Sequence, residues 1–244
     1  PCHKMDLFPI TGNGAPMVLF VHGGDFMGGD KSIADPFYSN VGRYFASHGI
    51  VCACMNYRLA PTGGFLAAPE DVEAAARWLL DRGDLYGGDN RRLAVLGQST
   101  GACHVATWLF SPRFASGARE ATPAAILMSG FYMAEPPLTP GQRAYFGDDE
   151  SLYGERSPMT MVQPVPQRLL VTFAEWDPPA TRAQSMALVE ALRSRNTQIE
   201  TIDLLNHNHV SPLMSLGSDN DVVGAKLRRF IEHSTSISST SPDP

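Results

Sequence analysis

The sequence has little charge and no long apolar run. Charged residues make up 18% of the 244 residues, and 19 Lys and Arg stand against 25 Asp and Glu, for a formal net charge of −6. The basic residues form no cluster of the kind that binds a phosphate backbone, so nucleic acid is not an expected partner. No run reaches the ~18 apolar residues that a membrane-spanning helix needs, so no membrane span is expected.

Cysteine is also scarce, since four cysteines are too few to staple a chain of this length. Cys52 and Cys54 stand two apart in a predicted strand, which places them ~6.6 Å apart along one face and disfavours a disulfide. No CxxC pattern indicates a metal site. We therefore predict buried free thiols, no metal, and a cytoplasmic location without a visible signal peptide; because the chain begins at Pro1, secretion stays open as an alternative.

Apolar residues make up 43% of the chain, enough for a sizeable core. Short apolar runs alternate with helical patterns. This alternation predicts an α/β fold with a mostly parallel central sheet and helices on both faces, as one domain over residues 1–233. The predicted strands cover residues 17–21, 50–55, 93–96, 124–128, 168–173 and 198–203. The predicted helices cover residues 35–48, 70–82, 180–195 and 219–233, and one more follows Gly101.

Two stretches break the alternation. Residues 131–167 are rich in Pro, Gly and acidic residues and are long for a plain connection, which predicts a small lid over the site. Residues 234–244 are polar and low in complexity, which predicts a disordered tail. Ligands of such a sheet bind beyond the carboxyl ends of its strands, so the loops that follow the strands are the candidate site.

The strongest chemical signal is Gly97-Gln98-Ser99-Thr100-Gly101, between a predicted strand and a predicted helix. A strand that turns at once into a helix strains the residue at the turn, and glycines two positions away on either side let the chain pass without Cβ clashes. The hydroxyl then lies at a helix N-terminus, whose dipole favours developing negative charge. We therefore predict that Ser99 is a nucleophile rather than a simple helix N-cap.

A serine nucleophile needs a base, and the base needs an orienting carboxylate. After a strand–serine–helix turn of this type the expected chain order is Ser, acid, His. His207 and His209 are the histidines after Ser99 that fall in a loop following a strand, and the spacing alone leaves both open.

The loop after the strand at 168–173 offers two acids, Glu175 and Asp177. Two prolines follow Asp177 and stiffen the loop, which favours Asp177 as the orienting carboxylate. Asp203 is a weaker candidate, because it ends a strand close to the histidine loop.

A third feature is His22-Gly23-Gly24-Asp25-Phe26, directly after the first predicted strand. Its two glycines leave the backbone unhindered, so amides can point at one spot, as an oxyanion hole requires. The candidate donors are the amides of Gly24, Asp25 and Thr100. His22 is expected to brace the loop through its ring.

Together these residues resemble the α/β-hydrolase superfamily, and within it the hormone-sensitive-lipase and carboxylesterase-like enzymes. The resemblance runs from about Asp6 to Ile231. The motifs that carry it are His22-Gly23-Gly24, Asn56-Tyr57-Arg58-Leu59-Ala60-Pro61, Pro69-Glu70-Asp71, Gly97–Gly101, Asp177-Pro178 and the His209 loop.

The segment Asn206-His207-Asn208-His209-Val210-Ser211 is similar to that of small esterases, including feruloyl-esterase-like and kynurenine-formamidase-like members. In that subgroup the catalytic histidine is followed by an apolar residue and Ser or Asp. The resemblance therefore assigns the base to His209.

The resemblance implies a serine hydrolase that cleaves a carboxylic ester or thioester of a small molecule through Ser99, His209 and Asp177, by way of an acyl-enzyme and without a metal or organic cofactor. Phe26, Phe131 and Trp176 lie in or near the site loops and are the expected substrate contacts. These roles are what the resemblance to the family implies.

The sequence departs from this family at three places. Asp25 stands where a third glycine is usual, and Thr100 where alanine is usual. Sixteen residues precede the first predicted strand, so the large N-terminal cap is expected to be absent, the sheet is expected to be short at one edge, and any lid is expected to come mainly from residues 131–167.

The same triad serves other reactions, because fold does not settle substrate. The alternatives are an amide or formamide hydrolase and a non-hydrolytic acyl-transfer or cyclisation enzyme of secondary metabolism. A small-molecule receptor built on an inactive hydrolase is disfavoured, because it predicts a missing histidine and both His207 and His209 are present.

Overall fold

The computed structural model describes residues 3–34, 37–115 and 117–236. In this part of the chain seven strands form one sheet: β1 Met5–Phe8, β2 Ala15–Val21, β3 Val51–Met55, β4 Gly88–Gln98, β5 Ala124–Met128, β6 Arg168–Trp176 and β7 Ile199–Asn208. Nine α-helices are found there as well: α1 Ser39–Ser47, α2 Ala67–Arg82, α3 Thr100–Phe110, α4 Ala118–Ala121, α5 Pro140–Phe146, α6 Tyr153–Arg156, α7 Pro179–Arg193, α8 Ser211–Met214 and α9 Val222–Ser234.

The strand order is β1-β3-β2-β4-β5-β6-β7, with β2 to β7 parallel. Each apolar run predicted as a strand is one, and the predicted α/β class with a mostly parallel sheet is confirmed. Side chains alternate between the two faces: Leu19 and Val21 join one core and Val18 and Phe20 the other. Helices cover both faces, so both sets are buried, as the continuous apolar runs predict.

The sequence analysis missed β1, which lies at the sheet edge and pairs antiparallel with β3, with Met5 opposite Met55. The strand has only four residues, all half-buried, and so presents no continuous apolar run to detect. It supplies an edge strand where the sheet was expected to be short.

Further predictions concern the cysteines, the 131–167 segment, membrane-spanning helices and the tail. Cys52, Cys54 and Cys103 are buried and free, as predicted. The 131–167 segment contains α5, α6 and short 3₁₀ turns, and its Tyr145 and Phe146 join a separate apolar cluster. No helix in the described ranges is both long and apolar enough to cross a membrane. Of the predicted tail, Ser234 belongs to α9, and residues 237–244 lie outside the described residues.

The strand order positions the site. β3 lies on one side of β2 and β4 on the other, so the strand order reverses direction at β2. A crevice opens at such a switch point, beyond the carboxyl ends of the strands. The loop that follows β2 and the turn that follows β4 therefore meet at the same place.

Candidate active site

Ser99 forms a strained turn between β4 and α3, with φ 55° and ψ −121°. The neighbouring glycines make this turn possible. A Cβ on Gly97 would lie 2.6 Å from the Gly101 carbonyl oxygen, and a Cβ on Gly101 would overlap the Val21 carbonyl. The Ser99 amide donates to the Met128 carbonyl at 2.9 Å, which anchors the turn to β5.

Three side chains from different strand ends meet in a hydrogen-bonded chain. His209 Nε2 lies 2.9 Å from Ser99 Oγ, and His209 Nδ1 lies 2.7 Å from Asp177 Oδ1. An imidazole that donates its Nδ1 proton to a carboxylate leaves Nε2 free to accept from the hydroxyl. The structure thus brings together the three residues that the sequence analysis selected as nucleophile, base and acid.

Asp177 has a fully buried side chain, whereas the His209 side chain is 30% exposed. The second carboxylate oxygen of Asp177 accepts hydrogen bonds from Ser129 Oγ and from the Ala174 amide, each at 2.7 Å. Burial opposes the charged form, but the hydrogen bonds from His209, Ser129 and the Ala174 amide outweigh it and lower the pKa of Asp177. A charged, oriented carboxylate therefore faces His209.

The sequence analysis missed Ser129. It follows β5 directly, with a φ of 48°, and its hydroxyl holds the Asp177 carboxylate. A polar residue at the carboxyl end of a central parallel strand is the signal that could have found it.

The rejected candidates lie elsewhere. Glu175 is exposed and accepts a hydrogen bond from the Asn206 amide at 2.7 Å. His207 Nδ1 lies 3.0 Å from the Ser211 hydroxyl. Asp203 forms an ion pair with Arg182 of α7.

An irregularity in β7 separates the two histidines. Ala174 pairs with Leu204, but Trp176 pairs with Asn208, so β7 contains two more residues than β6 over this stretch. Asn206 lies within the irregularity and has a φ of 61°. The bulge redirects the chain, and His209 arrives beside Ser99 while His207 does not.

Residues 23–29, here called the glycine loop, turn sharply after β2. The Gly28 amide donates to the Gly24 carbonyl at 2.8 Å, and a Cβ on Gly24 would overlap the Gly28 carbonyl. Within the described residues the amides of Gly24, Asp25 and Thr100 donate no hydrogen bond to the protein. All three residues line the cleft at Ser99, so their amides are available to a bound oxygen.

His22 lies buried beneath the glycine loop. Its Nδ1 lies 2.7 Å from the Gly23 carbonyl, and its ring stacks on Tyr57 at a centroid distance of 4.5 Å. Burial lowers the pKa of His22, against smaller opposing effects of the Gly23 carbonyl and Asp30. These contacts fit a neutral ring that braces the loop.

Gln98 is a second residue that the sequence analysis missed. Its side-chain amide donates to the His209 carbonyl at 3.0 Å, and its oxygen accepts from the Tyr38 hydroxyl at 3.2 Å. The variable position of the Gly-x-Ser-x-Gly pattern thus ties the His209 loop to β4.

The cleft has a volume of about 500 Å³. Phe26 and Phe131 lie in its wall, as expected of substrate contacts. Trp176 does not: it ends β6 with 59% of its surface exposed and is absent from the cleft lining. Among the described lining residues Asp25 is the only carboxylate and there is no Lys or Arg, so the cleft carries little positive charge.

Comparison with known families places the chain. Residues 67–234, well over half of the chain, match the prolyl oligopeptidase family. The chain belongs to this family. A second family, BD-FAE, matches residues 5–110, so the two matches together extend over both the glycine loop and the triad residues.

Curated relatives match over shorter stretches. Esterase LipI of Mycobacterium tuberculosis is 38% identical over 87 residues, which cover 36% of this chain and 26% of that protein. Fumonisin B1 esterase of Sphingopyxis macrogoltabida is 33% identical over 124 residues, covering 44% of this chain and 22% of that protein. The matched part spans about a quarter of each relative.

Solved structures match over nearly the whole chain. A hyperthermophilic esterase from Pyrobaculum calidifontis aligns with a TM-score of 0.78 at 22% identity, over 96% of this chain and 86% of that one. A phosphonate-inhibited esterase B from Lactobacillus rhamnosis aligns with a TM-score of 0.80 at 19% identity, over 95% and 81%. The chain has the α/β-hydrolase fold.

Proposed function

We propose that this protein is a carboxylic ester hydrolase that uses Ser99 as its nucleophile. The observation that carries the proposal is the hydrogen-bonded chain from Ser99 through His209 to the buried Asp177. The strained turn at Ser99 and the unpaired amides of Gly24, Asp25 and Thr100 support the same reaction. The names of the relatives and of the structural neighbours agree with it.

The geometry supports an acyl-enzyme mechanism. Ser99 Oγ attacks the ester carbonyl carbon while its proton passes to His209 Nε2, and the carbonyl oxygen becomes an anion beside the three amides. The tetrahedral intermediate collapses, and the leaving alkoxide takes the proton from Nε2. Water then gives a proton to Nε2 as it attacks the acyl carbon. When this second intermediate collapses, Ser99 Oγ leaves and takes the proton back from Nε2, which releases the acid and restores Ser99. Asp177 holds the ring and stabilises the imidazolium.

The cleft suits a small-molecule ester with an apolar acyl or alcohol group. Phe26 and Phe131 supply apolar wall, and the 131–167 segment acts as the lid of the proposed enzyme, since Phe131 and Gln142 from it line the cleft. The reaction as drawn uses no metal or organic cofactor. The buried free cysteines support a cytoplasmic location.

The family also contains peptidases by name, so amide cleavage is the competing outcome. The glycine loop lines one side of the cleft and the short lid lines the other. Among the described lining residues Asp25 is the only carboxylate and none is Lys or Arg, so little charge is available to hold the ends of a peptide. Esters are therefore favoured over peptides. A substrate panel separates the two reactions: nitrophenyl esters of increasing acyl length, a thioester, an aryl formamide and a nitroanilide.

The decisive experiment is Ser99→Ala. It should lower kcat on nitrophenyl acetate by ~10⁴ to 10⁶, since triad residues act as a unit. An organophosphorus reagent should add one label to the native protein at Ser99 and none to the variant. Ser47→Ala is the matched control, because the Ser47 hydroxyl contacts only the Tyr44 carbonyl and His48. Retention of a tenth of the activity by Ser99→Ala would reject the proposal.

A further inference from the structure

The glycine loop contains two residues other than glycine in the left-handed backbone region. Asp25 has a φ of 48° and Phe26 a φ of 64°. Side-chain-bearing residues adopt this region at a cost, so such a conformation persists only where the surroundings hold it. The contacts of these two residues show what holds them.

The first contact is between backbones. Gly141, in the first turn of α5, lies so close to Asp25 that a Cβ there would overlap the Asp25 carbonyl oxygen and come within 2.6 Å of its carboxylate. Only glycine permits this approach. The end of α5 is itself fixed by a capping box between Thr139 and Gln142.

The second contact is between rings. Tyr145 stands four residues after Gly141, on the same face of α5. Its ring stacks on Phe26 at a centroid distance of 4.4 Å and an interplanar angle of 19°. Tyr145 is buried, and its hydroxyl lies 3.3 Å from Nδ1 of the buried His104. The contact with His104 thus holds the Tyr145 ring in place, and the Tyr145 ring in turn holds Phe26.

The third contact is polar: the Thr139 hydroxyl donates to the Asp25 carboxylate at 3.2 Å. One short helix and its cap therefore contact both left-handed residues, by backbone, ring and hydroxyl. We propose that α5 holds the glycine loop in its oxyanion-binding conformation, with Gly141 and Tyr145 as positioning residues.

This inference rests on the proposed ester hydrolysis, and it predicts which kinetic constant changes. The amides of Gly24 and Asp25 meet full negative charge only in the transition state. A loop displaced by a few tenths of an ångström loses that interaction while substrate binding is largely kept. Disturbing α5 should therefore lower kcat and leave KM nearly unchanged.

Gly141→Ala is the test, with Gly154→Ala as the matched control. Both glycines lie in helices of the same segment, but a Cβ at Gly154 meets nothing within 4 Å. Gly141→Ala should lower kcat on nitrophenyl acetate by about 10²-fold, the scale of losing one oxyanion donor, with KM within about threefold. Gly154→Ala should match the wild type.

Tyr145 supplies the second variant pair. Tyr145→Phe keeps the stacked ring and gives up only the contact with His104, so it should lose much less kcat than Tyr145→Leu, which removes the ring and should lower kcat with little change in KM. Equal losses in the two variants, or a change confined to KM in Gly141→Ala, would overturn the positioning role. Circular dichroism reports whether each variant is folded.

A readout without substrate separates this inference from the proposed function. Hydrogen exchange, followed by mass spectrometry over residues 23–29, should be faster in Gly141→Ala than in the wild type or Gly154→Ala. If no ester is cleaved in a Ser99-dependent way, the proposed function fails, and the exchange data still decide the role of α5. If Gly141→Ala changes neither the exchange of residues 23–29 nor kcat, the positioning role of α5 is rejected.

Discussion

Two carboxylates lie at the end of β6 and two histidines at the end of β7, and burial separates the carboxylates. Asp177 is fully buried, accepts hydrogen bonds from three donors and faces His209. Glu175, two residues earlier, is exposed and accepts one backbone amide. The ring of His207, two residues before His209, lies within hydrogen-bond distance of the Ser211 hydroxyl. The two carboxylates stand close in sequence but differ in desolvation, whereas the two histidines are both half-buried and differ in their hydrogen-bond partners.

The backbone explains the difference. After β6 the Asp177 amide donates to the Ala174 carbonyl while the Asp177 carboxylate accepts from the Ala174 amide, so the chain folds inward on itself. On β7 the bulge at Asn206 turns His209 toward Ser99. Local backbone geometry, rather than residue type, thus decides which pair can act in proton transfer.

The largest expected effect separates the histidines. His209→Ala removes the base and should lower kcat by ~10⁵ to 10⁶, whereas His207→Ala should stay within about threefold. Steady-state kinetics on one nitrophenyl ester measures both. A greater loss of kcat in His207→Ala than in His209→Ala would mean that His207, and not His209, is the base.

The next effect separates the carboxylates. Asp177→Asn keeps the shape but withdraws the charge and the correct acceptor for His209 Nδ1, and should lower kcat by ~10⁴. Glu175→Gln should change kcat little, because the amide oxygen can still accept from the Asn206 amide. If both substitutions cost the same, burial would not be what selects the acid.

The hydrogen bonds to the buried Asp177 carboxylate also predict a pH effect on stability. The pKa of Asp177 is lowered in the folded protein: burial raises it, but hydrogen bonds from His209, Ser129 and Ala174 prevail. Its charged form therefore stabilises the fold above the ordinary pKa of 3.8, and the contribution is lost as the pH falls through the folded-state value. Thermal melts should show the wild type more stable than Asp177→Asn at pH 6 and the gap narrowing toward pH 3. A gap that widened in acid would reverse the assigned direction.

Most of the framework follows from the sequence, because its signals are local. Continuous apolar runs mark β2 to β6, since a parallel sheet buries both faces, whereas the edge strand β7 is mixed apolar and polar. The strained turn at Ser99 is visible as two glycines at fixed spacing. Asp177 could be favoured from the prolines after it, and the structure places it beside His209.

What could not be predicted depends on contacts between distant segments. Spacing left His207 and His209 open, because a two-residue bulge in β7 has no sequence marker of its own. Ser129 donates to the Asp177 carboxylate and Gln98 to the His209 carbonyl, which lie 48 and 111 residues away along the chain. Trp176 was expected at the substrate, but β6 continues to that residue and points it to solvent.

The smallest expected effect concerns a third carboxylate, that of Asp25. It is exposed like Glu175 but, unlike Glu175 and Asp177, it lines the cleft, and its side chain contacts the Thr139 hydroxyl rather than the reacting groups. Asp25→Gly keeps the amide donor, relieves the left-handed backbone and loses the contact with Thr139, so kcat should fall by less than ~10-fold, equivalent to ~1.4 kcal/mol.

Kinetics of Asp25→Gly on a neutral ester and on a cationic ester of equal size refine this expectation. The neutral ester should show the small loss in kcat alone. The cationic ester should also show a higher KM, because Asp25 is the only carboxylate among the described residues lining the cleft. A fall of ~10³ on both esters would mean that the carboxylate takes part in the chemistry, for example by holding a water. In that case an exposed carboxylate, and not only the buried Asp177, would take part in the reaction.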